Sequence, residues 1–102
     1  MASIPKLLMD EFYSMERAAI NEEKYDRAQA FSASENAVNN VMHGLPPALV
    51  LSLVKVTLTS LSTDERFPEA EREAFAEAVI VVDIFAEQYN LTLTDNPSRE
   101  GY

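Results

Sequence analysis

The residues that could do chemistry in this chain are few. His43 is the sole histidine, and cysteine is absent. Lys55 stands alone as a charge within the run PALVLSLVKVTLTSLS, and Asp83 stands alone within AVIVVDIF. Carboxylates come in pairs at Glu22/Glu23 and Glu73/Glu77. General acid–base work needs such carboxylates in a cleft with displaced pKa values. A zinc site needs three or four ligands at short spacing, and one histidine with scattered acids does not supply them. No serine sits in a nucleophile-elbow context, and no glycine-rich loop offers backbone amides to a phosphate. These residues point away from an enzyme. They imply no cofactor and no metal.

Each candidate has a simpler role. His43 precedes Gly44, where an imidazolium suits the negative end of a helix dipole. Lys55 can lie along an apolar surface with its ammonium in water, or it can pair with Asp83 across a helix–helix contact as a buried ion pair. The acids between Asp64 and Glu77 suit the positive end of a helix. They could also imitate a phosphate backbone.

The elements that would carry these residues read as helices. Glycine occurs twice in 102 residues, too seldom for a set of hairpin turns. Ile4, Leu8, Phe12, Met15 and Ala19 recur at helical steps, so a first helix is expected from about Ile4 to Ile20, capped by Ser3. Glu22 to His43 forms a weaker second segment. Ser32 and Glu35 have capping-box spacing, which predicts a restart there. Gly44 is expected at the left-handed C′ position, with Pro46 ending any continuation.

The third segment reads two ways. Val54 to Leu61 alternates as a strand would, but Ala48, Ser52, Lys55, Thr59 and Ser62 trace one narrow polar stripe at helical steps. Helix is the reading adopted for residues 47 to 61, leaving a thin strip for solvent. A fourth helix should run from about Pro68 to Tyr89. Residues 1 to 94 then form one helical domain, and residues 95 to 102, with Pro97 and Gly101, read as a flexible tail.

On a wheel at about 100° per residue, Phe75, Ala78, Val79, Val82, Phe85, Ala86 and Tyr89 share one face of the fourth helix, with Asp83 at its border. Ile80 and Ile84 fall between Glu77 and Glu87 on the side that should be solvated, with Val81 beside them. A helix apolar all round is normally enclosed on all sides. Ile80, Ile84 and Val81, rimmed by Glu77 and Glu87, are therefore the expected protein interface, with a second copy or another protein as its cover.

Seventeen acids against eight bases give a formal charge of −9. That field repels nucleic acid and anionic lipid, so no direct nucleic-acid or membrane contact is expected. The first residues, MASIPKLLMDEF, lack a signal-like apolar core, and no run reaches the length of a spanning helix. The location expected is cytoplasmic.

The run Gly44-Leu45-Pro46-Pro47, leading into an apolar helix, resembles a short segment of the TraM antiactivators, small helical proteins that bind quorum-sensing transcription factors. The resemblance covers those four residues and the helix after them; nothing before Gly44 or between Pro68 and Tyr89 corresponds. It implies regulation by binding.

The expectation is thus an all-α protein, a small four-helix antiparallel bundle or helical hairpin that dimerises. Its expected work is that of a small acidic regulator or inhibitor sequestering a partner protein such as a transcription regulator. Two alternatives stay open. One is an acidic nucleic-acid mimic blocking a DNA-binding or defence protein. The other is a small-ligand binder with a pocket lined by Tyr13, Tyr25 or Tyr89.

Overall fold

Ser3 opens the first helix as its N-cap, its Oγ accepting from the Lys6 amide at 3.2 Å. This computed structural model describes residues 3–97. Four helices follow in order: α1 (Ile4–Asn21), α2 (Tyr25–Val41), α3 (Pro47–Ser62) and α4 (Glu69–Gln88). All regular structure among the described residues is helical.

The turn after α1 is a Schellman motif without glycine. The Lys24 amide donates to Ala19 O at 2.8 Å and the Glu23 amide to Ile20 O at 3.0 Å, with Glu23 at φ 60°. The chain therefore reverses over residues 22 to 24, and α2 begins at Tyr25, later than Glu22. α4 ends in the same way. The Leu91 amide donates to Ala86 O at 2.8 Å, and Asn90 takes φ 55°. Asparagine tolerates that region better than glutamate does.

α2 is continuous, so the expected restart at Ser32 does not occur. An amide in mid-helix already bonds four residues back, leaving nothing for a cap at Ser32 to satisfy. Ser34 instead donates its hydroxyl to Ala30 O at 2.8 Å. Gly44 is left-handed, at φ 77°, but lies two residues beyond the cap Met42 rather than directly after it.

Residues 47 to 62 are helix, not strand. Pro46 and Pro47 suit a helix start. The helical period also buries Val50, Leu51, Val54 and Leu58 together, which alternation on a strand cannot do.

The core draws on all four helices. Leu8 and Phe12 come from α1, Phe31 and Val38 from α2, Val54 and Leu58 from α3, and Phe75, Ala78 and Val82 from α4. α1 packs mainly on α2, and α3 mainly on α4; α2 also meets α3 and α4 and joins the two pairs. The radius of gyration is 13.1 Å, close to the value of about 13 Å typical of a 100-residue domain.

After α4 the chain runs extended along α3. Leu91 and Leu93 pack on the core, and the Thr94 amide donates to Ser52 Oγ at 3.1 Å. Ser52 is 1% exposed, so this part of the expected solvent strip on α3 is covered. Of the expected tail, Asp95 to Pro97 are described and residues 98–102 lie outside the described residues. No helix among the described residues is long and apolar enough to cross a membrane.

Candidate interaction site on the last helix

α4 buries Ala74, Phe75, Ala78, Val82 and Ala86 and turns its other side outward. Two ion pairs mark the edges of that outer side. Toward α2, the Glu77 carboxylate meets the Arg27 guanidinium, which also lies 5.3 Å from the centre of the Phe31 ring. Toward α3, Asp83 Oδ1 lies 2.8 Å from Lys55 Nζ. The structure thus joins Lys55 and Asp83, but the pair is not buried: their side chains are 35% and 48% exposed. An ion pair so placed stabilises by about 0–1 kcal/mol.

Between Asp83 and Glu77 lies an arc of about 120° on the helical wheel. It holds Glu73, Ala76, Ile80, Ile84 and Glu87, all exposed. Ile80 is 58% exposed and Ile84 48%. Val81, beyond Glu77 on the α2 side, is partly buried against the core. It belongs to the packing of the molecule more than to the outer ridge. Glu73 and Glu87 make no ion pair among the described residues. The arc is therefore an apolar centre with a free carboxylate toward either end and a paired carboxylate at each edge.

The acids between Asp64 and Glu77 do not form an even array. Arg66 holds Asp64 through a bidentate pair, and these hydrogen bonds bring the Asp64 carboxyl down to about 2. Glu71 is 7% exposed, and burial, then the charge of Asp26, raises its pKa. Glu77 is committed to Arg27. A regular row of phosphate-like charges is not what this segment presents.

A further pair of carboxylates that perturb each other was not legible in the sequence. Glu16 on α1 and Glu35 on α2 meet across the helix contact. Burial, a hydrogen bond with Glu16 and the charge of Glu16 together push Glu35 up to about 7. Nineteen residues and a turn separate them, so neither spacing nor periodicity signals the contact. Glu22 and Glu23 point into solvent. His43 is exposed just past the end of α2. Among the described residues no group of three or more His, Asp or Glu is gathered to hold a metal ion. Tyr25 lines an open surface cleft with Glu23, Lys24, Asp26, Arg27 and Ala70. Tyr13 and Tyr89 are exposed, and Tyr89 stacks obliquely on Phe85.

No family model, curated protein or solved structure matches this chain.

Proposed function

We propose that this chain is a non-enzymatic protein-interaction module, a small acidic helical regulator that binds and sequesters a partner protein through the outer arc of α4. The observation that carries the reading is the exposure of Ile80 and Ile84 on one line of a helix bordered on both flanks by ion pairs. Burying one such side chain stabilises a contact by about 1.5–3 kcal/mol. An apolar centre within a charged rim is the usual anatomy of a protein interface. The short connections at residues 22–24, 42–46 and 63–68 favour antiparallel neighbours in the bundle. The setting proposed is cytoplasmic, and a chain without cysteine fits it. The likeness of Gly44 to Pro47 to the antiactivator segment makes a transcription regulator the first partner to test.

The test is capture from a lysate of the source cells, read by mass spectrometry, with wild type and with Ile80→Glu plus Ile84→Glu. Both positions are exposed, so the variant should keep its helical circular dichroism and its melting temperature. The expected outcome is a protein captured by wild type and lost by the folded variant. Equal capture by both would place the binding surface elsewhere or remove it.

A further inference from the structure

We infer that the outer arc of α4 takes a basic amphipathic helix of another protein in preference to a second copy of this chain. The inference rests on the reading of that arc as a docking surface and adds the chemistry of its occupant.

Glu73, Glu77, Ile80, Ile84 and Glu87 follow one another at steps of four, three, four and three. That is the spacing of a seam on which a second helix lies lengthwise. From Glu73 to Glu87 the seam runs about 21 Å at 1.5 Å per residue. Its centre is apolar and its ends are acidic, with Glu73 and Glu87 unpaired among the described residues. The nearest cations do not compensate them. Arg27 is engaged by Glu77 and Lys55 by Asp83, and the only base on α4 is Arg72, in its first turn.

A second copy meets this seam badly. Laid antiparallel with the isoleucines in register, Glu77 of each copy comes opposite Glu87 of the other. Laid parallel, each glutamate faces its own equivalent. Neither arrangement offers Glu73 or Glu87 a free cation, the parallel one sets each against its own equivalent, which suppresses association, and both bring together two chains of charge −9. A helix with two apolar residues one turn apart, and Lys or Arg on either side of them, matches the seam in both respects. Helices of that pattern are the ones that otherwise seek a membrane surface or an acidic protein groove. Occupying one would withdraw it from such a target, which is what sequestration requires.

The probe is a synthetic helical peptide with a Leu pair one turn apart at its centre and lysines on both sides. Two control peptides carry Glu for every Lys, or Ser for both Leu. Binding is read by anisotropy at low and high salt, and by amide shifts of the labelled protein. The Lys peptide should bind at least about tenfold tighter than the Glu peptide, with the gap narrowing in salt. The Ser peptide should lose binding, and the shifts should centre on residues 73 to 87. Ile80→Glu with Ile84→Glu should abolish binding. Glu73→Lys with Glu87→Lys, both exposed and unpaired positions, should reverse the peptide preference. Equal affinity for Lys and Glu peptides, shifts away from α4, or no binding of the Lys peptide at about 1 mM would overturn the inference. So would sedimentation of wild type as a dimer that the isoleucine variant dissolves, although the arc would then still be an interface. The docking reading itself falls when lysate capture does not depend on Ile80 and Ile84. The two failures are therefore distinguishable.

Discussion

Glu35 is the residue whose state departs most from what its type implies. Its carboxyl keeps a proton to about pH 7 in the folded chain, against about 4.5 when free. The folded state therefore holds more protons than the unfolded state within that window. Stability must fall as pH rises from about 4.5 to about 7, because ionising Glu35 means placing a second charge beside Glu16 in partly desolvated surroundings. Glu35→Gln removes that charge. We expect it to be more stable than wild type at pH 8 by about 1–3 kcal/mol, with little difference at pH 4. Urea unfolding of both proteins at the two pH values checks this, and a difference that grows toward acid would contradict it. Asp64 is the opposite case at the acid end, since its bonds to Arg66 favour the ionised form. Its partner Arg66 is largely exposed to water, which keeps the pair from weighing much in the fold.

At the scale of elements, helix ends and the strap after α4 decide the shape. Gly44 takes φ 77°, and nothing lies within 4 Å of the place a Cβ would occupy. A side chain would fit; what alanine cannot do is adopt the angle cheaply. Gly44→Ala should cost about 1 kcal/mol, read as a lower denaturation midpoint with unchanged slope. A neutral result would show that the turn relaxes to negative φ. Ser52 has a different duty. Its hydroxyl donates to Ala48 O at 2.7 Å and accepts from the Thr94 amide, so it pins the extended run after α4 against α3. Ser52→Ala should lose about 0.5–1.5 kcal/mol. It should also speed amide exchange at Thr94 while leaving exchange in mid-α3 unchanged. Thr94 protection that survives the substitution would mean that Leu91 and Leu93 alone hold the strap.

For the whole molecule, a chain of this length has little stability to spare, on the order of 5–15 kcal/mol. Phe12, Phe31 and Phe75 are all fully or almost fully buried and come from three different helices. Phe12→Ala should cost about 3–5 kcal/mol, whereas the isoleucine substitutions on the outer arc should cost far less. Thermal melting separates the two classes, and equal losses would mean that Ile80 and Ile84 are covered in solution. That contrast between core and arc was already present in the order of the residues. Apolar positions at steps of three and four specify α1 and α4, and polar positions at the same steps specify α3, since a helix sets one stripe apart from the rest of its surface. The same arithmetic placed Ile80 and Ile84 outside the stripe and Gly44 near a helix end, because these are properties of a single helix or turn. It failed wherever two elements meet. Ser52 read as solvent-facing because nothing local says that residues 91 to 94 return to cover it. Glu23 read as part of α2 because a left-handed glutamate carries no sequence signal. Ser32 read as a cap because two residue types at the right spacing do not reveal whether the amides after Ser32 are already bonded within a helix. Lys55 and Asp83 could be suspected as partners, but their distance and their exposure depend on how α3 lies against α4. Glu16 and Glu35 could not be suspected at all, since electrostatic coupling follows distance in space. Local periodicity thus determined the helices and their outward faces, and only the packing of one helix on another decided which charges meet and which hydroxyls are covered.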